Sequence, residues 1–512
     1  MSDAPAPERP RRRPSRSSRP GRATDYGHLV NPFEPARVMS DDQVAHLHDA
    51  ALGVLQDTGV KVLLPEARRR LAAAGATVDD DAAVVRLDRA LVAGAIASAP
   101  ATFDIEARNP ARSLPVGGRN LLLLPVAGPP FVSDLQRGRR TGTMTDFDRF
   151  ARLVQRTDVL HGMTPSIEPQ DVDLRIRHLA TTRSTLVLTD KVPFAYARGR
   201  GAVADCFEMV RLANGVDHDS FLSRPFVWTN INTNSPRQLD VAMCLGIIDF
   251  AEAGQVSIMT PFTLSGAMAP VSLAGALVLQ HAEALAAITL AQVVRRGAPV
   301  IYGAFTSNVD MRSGSPAFGT PETARAAIAS GQLARHIGVP WRSQAASTSN
   351  VEDAQGGYET MVSMMGALMG GANVVLHAAG WQEGGLTASL EKFVLDVEML
   401  QIVAEMFTPL DTSESELALG SIAEVAPGGH FFGTEHTLQR FDTAFYEPTV
   451  FTRENFGQWT EHGAVTSAQR ATSTWRQWEA DYLQPPIEAE RLASLDEFVA
   501  RRAAEGGAAL ER

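Results

Sequence analysis

Two cysteines, Cys206 and Cys244, occur in 512 residues, with no flanking thiol. They can build neither a disulfide framework nor a cysteine-rich zinc site, and such sparse use suits a reducing cytoplasm. No apolar h-region follows the start MSDAPAPERPRRRPSRSSRPGR, so it does not read as a secretory signal. GxxxxGK[ST], HExxH and GxSxG are all missing. That removes the usual phosphate-cradling, zinc-protease and serine-hydrolase readings. No internal period marks a repeat array. Positive charge is scarce in the body of the chain. Residues 1–22 hold seven arginines against Asp3 and Glu8, a local +5, so the rest carries -16 of the net -11. An acidic body repels a phosphate backbone, and nucleic acid is not the expected partner.

What is present is globular: 45% hydrophobic and 21% charged. Residues 1–35 begin Pro-, Ser- and Arg-rich and are expected to form a disordered basic arm. Targeting and nucleic-acid binding remain alternatives for that arm. Residues 36–119 read as an α+β lead-in. Ser40-Asp41-Asp42 caps VAHLHDAALGVLQDTG, which Gly59 closes, and PEARRRLAAAGA and LDRALVAGAIASA follow as helices. VKVLL, AVVRL and TFDIEA are the short strands between and after them.

From residue 120 to 425 the rhythm changes. Short apolar runs (LLLLPVAG, TLVLTD, PFVWTNI, QVSIMTPF, APVIYGAF, VPWRSQAA, NVVLHAAG) alternate with helical stretches. Alternation of this kind implies a parallel sheet. With no GxGxxG after the first strand, a (β/α)8 TIM barrel is favoured over a doubly wound sheet, and its mouth lies at the C-terminal strand ends. The uncharged run Met361–Gly380 is long enough for a membrane span, but its glycines make it a core helix, a turn and a core strand instead. Residues 426–512, with Trp459, Trp475, Trp478 and Tyr482, read as a helical extension.

Four clusters carry chemistry. TPFTLSGAMAPVSLAGALVLQHAEA turns at a strand end, and YGAFTSNVDMRSGSPAFGTPE is a long polar loop that can cover a ligand. WRSQAASTSNVEDAQGGYET sets Arg342 at a strand end, where a guanidinium can grip a carboxylate bidentately. LHAAGWQEGG sets His377 on a strand, just before Trp381. Trp228, Tyr302, Phe305, Trp341 and Trp381 cluster at strand ends, as either core or a cage for a quaternary ammonium. Arg342 is equally readable as an ion-pair partner of Glu352 or Asp353, and His377 as a core residue. No metal site is expected, because His281 and His377 lack partners at ligand spacing.

These clusters carry a resemblance. With HDAALGVLQDTGVKVL, ARNPARSLPVGGRN, SDLQRGRRTGTMTDFDRFARL, GGANVVLHAAGWQEGGLTASLEKFVLDVEML and GGHFFGTEHTLQRFDTAFYEP, the chain resembles the trimethylamine methyltransferase family, the corrinoid-dependent methylamine and betaine methyltransferases. The resemblance implies a barrel whose mouth meets a separate corrinoid protein. The corrinoid (cobalamin) comes from that partner rather than being bound tightly here, so no catalytic nucleophile is assigned to this chain. Archetypal members carry pyrrolysine, whereas TSNVEDAQ and the rest of this sequence hold standard residues only.

A quaternary amine already bears the positive charge that makes its nitrogen a leaving group. The expected substrate is therefore glycine betaine or a close relative. Arg342 and His377 are expected on its carboxylate and Trp341, Tyr302 and Phe305 on the cation, with Gln344, Asn232 and Ser307 as polar liners. Alternatives are trimethylamine, carnitine, proline betaine or choline as substrate, a non-catalytic betaine-binding barrel, and an unrelated barrel lyase, for which Lys191 is the strand-end lysine. A cytoplasmic protein outside the membrane is expected, and large enzymes of this build are often homo-oligomers.

Overall fold

The computed structural model describes residues 25–509. Most of the basic arm, residues 1–24, lies outside that range. The end of the assigned arm does not: residues 25–35 pack on the body. Leu29–Val30 pairs antiparallel with Leu121 and Asn120, and the buried Asn31 side chain donates to the Leu368 carbonyl at 3.1 Å. The apolar pair Leu29-Val30 supplies what the arginine-rich stretch lacks, so the expected disorder does not hold for residues 25–35.

The lead-in forms as its caps dictate. Ser40 and Gln43 close a capping box on α1 (Asp41–Gly53), and Gly59 ends the wider turn that follows. Then come β1 (Val60–Val62), α2 (Pro65–Ala73), β2 (Thr77–Asp79), β3 (Val84–Arg86) and α3 (Arg89–Ser98). With Gln238–Leu239 added parallel to β1, the three strands make a four-stranded sheet that buries Val60, Val62 and Val85.

The remainder is a mixed α/β body around a parallel sheet. Its strands are β4 (Asn120–Leu123), β5 (Trp228–Thr233), β6 (Val256–Ser265), β7 (Val300–Gly303), β8 (Phe305–Val309), β9 (Trp341–Gln344) and β10 (Val374–Leu376). Parallel pairing runs β5–β6–β7–β9–β10–β4, with Gly303 opposite Arg342 and Arg342 opposite Val374. Past β5 the path continues through single bridges, Phe194 to Trp228 and Gly162 to Val192, and the His161 amide donates to the Leu123 carbonyl at 2.9 Å. Around it stand α4 (Met144–Arg156), α5 (Arg177–Leu188), α6 (Arg200–Asn214), α7 (Val241–Ala253), α8 (Leu273–Val294), α9 (Pro321–Ile337), α10 (Ala354–Gly370) and α11 (Leu390–Glu405).

Period-2 alternation along these strands creates two cores. One phase (Leu122, Val256, Ile258, Ile301, Val374 and Leu376) packs in the inner cluster. The other (Leu121, Leu123, Met259, Tyr302, Trp341 and Val375) packs in the outer cluster with the helices. Strands buried on both faces read as unbroken apolar runs, as NLLL and VVL do. The inner phase narrows where β6 and β7 approach. A Cβ on Gly303 would sit 2.6 Å from the Met259 carbonyl, so only glycine permits that contact.

Two expectations are corrected. TLVLTD is the end of helix α5, and the chain pairs instead at Val192 and Phe194, just beyond it. Residues 302–322 are not a structureless loop. Phe305–Val309 extends the sheet by pairing with Phe262–Ser265, then turns onto Pro316–Ala317. Asp310 fixes that turn by accepting from the Arg312 amide and the Ser313 hydroxyl. The uncharged run around residues 361–380 is α10, a turn and β10. Helix α8 is long and apolar enough to cross a membrane, yet 78% of its most apolar stretch is buried inside the protein. The extension includes α12 (Ser467–Ala480), against α4 and α11, and α13 (Ala489–Ala504), against α5 and α6.

Candidate functional site

The C-terminal ends of the central strands surround a cavity of about 350 Å³. Arg342 enters it because β9 alternates: Trp341 belongs to the outer core, so the next side chain faces inward. Arg342 is 1% exposed, and Nε and one terminal nitrogen of its guanidinium have no hydrogen-bond partner. Its charge rests against the Phe305 ring, 5.3 Å from the centroid. Burial without a carboxylate beside it lowers the Arg342 pKa to about 9, which leaves it cationic at neutral pH.

His377 would face outward if β10 kept its alternation. Instead its backbone turns left-handed at φ 61°, and the imidazole lines the cavity. Nδ1 is buried without a partner. Burial, and then the Arg342 charge, hold its pKa well below the ordinary histidine value, so the ring is neutral. It meets Trp381 at a tilt of 49° with centroids 3.9 Å apart, and Phe305 stacks 5.8 Å from the imidazole and lies 6.2 Å from Trp381. Phe262 closes edge-on against Phe305 at 5.0 Å.

A second aromatic wall joins Phe194 to Trp228 at 4.9 Å and to Tyr196 at 5.3 Å. Burial raises the Tyr196 phenol well above its usual pKa, so it stays protonated. Glu168 is the single carboxylate among the described residues lining the cavity. Arg198 and Arg177 stand 3.3 and 3.5 Å from its two oxygens. Asn232 accepts from Asn230 at 2.8 Å, and Asn230 accepts from Thr260 at 2.7 Å.

The cavity thus gathers Arg342, His377, Phe305 and Asn232 from the eight residues expected from sequence. Gln344 shares the inward phase of β9 and is buried, with its Oε1 unpartnered, but it is not among the lining residues. Three residues lie elsewhere. Trp341 packs outward between Gly331 and Gly370. Tyr302 faces the helices, where its hydroxyl accepts from Gln280 at 2.9 Å and meets His281 at 3.0 Å. Ser307 bonds the Ala317 carbonyl and, at 2.7 Å, Thr323, bracing β8 on α9. For Trp341 and Tyr302 the cause is the strand phase that puts Arg342 inside.

Arg342 pairs with neither Glu352 nor Asp353. Asp353 caps α10 by accepting from the Gly356 amide, and Glu359 collects Ser347, the Thr348 amide and hydroxyl, and Gln355. These residues brace the strand-end loop. Lys191 is buried away from the cavity, where its ammonium donates to the carbonyls of Val154, Thr157 and Leu160. Glu168, Phe194, Tyr196 and Phe262 were not expected from sequence. The signal for two of them was VPFAYAR, an aromatic strand end hidden behind the misassigned TLVLTD.

The family described as trimethylamine methyltransferase matches residues 7–507. Glycine betaine methyltransferase from Desulfitobacterium hafniense (strain Y51) is 36% identical over 473 residues, covering 92% of this chain and 98% of the relative. Trimethylamine methyltransferase MttB of the same species (strain DSM 10664 / DCB-2) is 28% identical, covering 92% and 95%. The structure of monomethylamine methyltransferase (MtmB) from Methanosarcina barkeri aligns with a TM-score of 0.45 at 10% identity, over 88% of this chain and 92% of that one.

Proposed function

The chain belongs to the trimethylamine methyltransferase family, and from that premise we propose that it takes a methyl group from glycine betaine and passes it to the cobalt of a corrinoid carried by another protein. The observation that carries this reading is Arg342, a buried cation lacking a hydrogen-bonded anion, set in an aromatic-walled cavity. A guanidinium in that state is a receptor for a carboxylate. His377 Nδ1, also unpartnered, is available to the same group. Phe305, Trp381, Phe262 and the Phe194–Tyr196–Trp228 wall offer ring faces to a trimethylammonium. Trimethylamine and choline have no carboxylate to neutralise Arg342. Carnitine and proline betaine do, and they belong in the same assay.

A closed (β/α)8 barrel is part of the proposal. The bridges at Gly162–Val192 and Phe194–Trp228, with the His161–Leu123 hydrogen bond, support closure of the sheet through eight crossings. The cavity then lies at the mouth, where such barrels react.

The chemistry asks little of this chain beyond placement. The acceptor, a cobalt(I) corrinoid, supplies the electron pair that forms the new carbon–cobalt bond. The carbon–nitrogen bond breaks with its pair going to nitrogen, and dimethylglycine leaves neutral at the amine. No proton transfer is needed, which suits a site where His377 is neutral and Tyr196 is held protonated. Arg342 fixes the substrate's orientation, and the aromatic walls exclude water from the methyl group. The fit to an external acceptor rests on the cavity's side chains, which include no thiol or amine nucleophile among the described residues. Buried thiols at Cys206 and Cys244 and the buried α8 support a cytoplasmic location.

The test is a panel of methylated amines incubated with the purified protein and reduced cobalamin, following loss of the cobalt(I) absorbance. Glycine betaine should bleach the band and trimethylamine should not. Bleaching by trimethylamine alone would defeat the proposal.

A further inference from the structure

Helix α11 opens with a charge that its place disfavours. Lys392 stands in the first turn, at the positive end of the helix dipole, and is buried. Its ammonium donates to Asp396 Oδ1, one turn on, at 2.6 Å and to the Thr360 hydroxyl of α10 at 2.7 Å. Asp396 is buried as well, and neither residue lines the cavity. A buried ion pair adds little to stability, because the cost of taking both charges out of water rivals their attraction. With the cation nearer the N-terminus, this one also opposes the dipole that the reverse order would suit. Its role is shown by the other carboxylate oxygen: Asp396 Oδ2 accepts from the backbone amide of Gly380 at 2.8 Å.

Gly380 lies in the turn that carries both rings of one cavity wall. Two left-handed residues, His377 at φ 61° and Gly380 at φ 90°, lead the chain from β10 to Trp381. The first is a costly conformation for a histidine and persists only where the surroundings hold it. Neither ring is tied by its own polar atoms, since His377 Nδ1 and Trp381 Nε1 are buried without a hydrogen-bond partner. Their positions therefore follow from the backbone. The His377 and Ala378 amides donate to the Pro125 and Leu124 carbonyls, at 3.3 and 2.8 Å, and the Gly380 carbonyl accepts from the Ser389 amide at 3.0 Å. The Gly380 amide is the one held by a carboxylate from behind. Glycine suits that point, because a Cβ would crowd Val126 at 3.3 Å and Phe393 of α11 at 3.4 Å.

We propose that Asp396 is a positioning residue for the substrate's cationic head: through the Gly380 amide it sets the His377–Trp381 face, and Lys392 holds its carboxylate in place. This rests on the reading that those two rings wall the betaine cavity. A carboxylate suits the task because a charge-assisted hydrogen bond is shorter and stronger than a neutral one. Lys392 supplies the counter-charge that lets the carboxylate stay ionised away from water. Thr360, which accepts from Lys392, donates in turn to the Gly356 carbonyl at 2.8 Å. The contacts thus run without a gap from the first turn of α10 through α11 to the aromatic wall, and they fix that wall against two rigid helices instead of a loop.

The experiment compares two double variants of the full chain. Lys392→Met with Asp396→Leu removes the acceptor, and Lys392→Met with Asp396→Asn keeps an amide oxygen for Gly380; neither leaves a lone buried charge, so both should keep the parent's far-UV circular dichroism. Hydrogen exchange of residues 377–381 is followed in the free protein, and steady-state kinetics with glycine betaine and reduced cobalamin. In the leucine pair the segment should exchange at least about tenfold faster. Its KM should rise about tenfold, and kcat/KM should fall by roughly ten- to a hundredfold, because a wall shifted by about 1 Å misplaces the methyl group. The asparagine pair should recover most of both. A purely structural pair would lower the amount of folded enzyme and leave KM where it was. Unchanged exchange or unchanged KM in the leucine pair would overturn the proposal. So would an asparagine pair whose KM stands roughly tenfold above the parent's, a result that holds whether or not the leucine pair folds. The exchange reading needs no substrate. If it comes out as expected while the parent chain fails to turn over betaine, it supports the Asp396 clamp, and the betaine reading alone falls.

Discussion

Replacing Arg342 by methionine should move stability and activity in opposite directions. In the free protein the guanidinium is a buried charge whose main compensation is the Phe305 ring face at 5.3 Å. Exchanging buried charge for an apolar side chain of similar volume ranges from neutral to a gain of about 4 kcal/mol. Losing the cation–π contact returns about 1–2 kcal/mol of that. The expected net is a stabilisation of about 1–2 kcal/mol, or a Tm increase of roughly 1–4 °C in a chain of this length. Catalysis should suffer in the same variant. A betaine carboxylate brought into the cavity without its cation loses about 3–5 kcal/mol, so kcat/KM should fall by roughly two to four powers of ten. Differential scanning calorimetry with and without betaine reads both effects. Saturation at about 100 times Kd should stabilise the parent chain by about 2.7 kcal/mol and leave Arg342→Met unmoved. A lower Tm in the variant, or a betaine-induced shift that survives in it, would refute the reasoning.

The aromatic wall should matter less per residue than the arginine. Trp381→Leu removes one ring face and the tilted contact with His377, and should raise KM for betaine about 2- to 30-fold, from a cation–π loss of about 0.5–2 kcal/mol; an unchanged KM would take Trp381 off the cation. The buried histidines make stability sensitive to acid. His281 and His377 both have folded pKa values well below the ordinary 6.5, burial being the first cause in each. Below pH 6.5 the unfolded chain binds protons that the folded one refuses. Stability is then full above that pH and lost as pH falls, by up to about 1.4 kcal/mol per histidine per pH unit. His281→Asn should flatten the slope of Tm between pH 6.5 and 5.5; a slope identical to the parent's would contradict the assignment. Over the same window, substrate binding should show no histidine inflection, since His377 stays neutral.

Much of the body was legible because periodicity is a strong signal. The capped lead-in helices, the apolar strands and the switch to parallel β/α alternation all follow from spacing. The errors have two physical sources. A strand that pairs through a single bridge, as at Val192–Phe194, is too short to outweigh the apolar end of a helix beside it, so TLVLTD took its place. At the site, residue type drew attention to Trp341 and Tyr302, but strand phase governs which way they point. Applying that alternation to WRSQ and VIYG sends both outward as soon as Arg342 is taken to face in. Phase would also have sent His377 outward. Its left-handed backbone is a tertiary feature, held by its place between Pro125 and Trp381, and no local pattern announces it.

The most direct measurement follows one methyl group. Glycine betaine labelled with carbon-13 at its N-methyls is mixed with the protein and reduced cobalamin, and the products are read by NMR. The account predicts labelled methylcobalamin and dimethylglycine in equal amounts from the parent chain, and neither from Arg342→Met. Label that never reaches cobalt while betaine still binds would contradict it, leaving a protein that holds the substrate without transferring its methyl group.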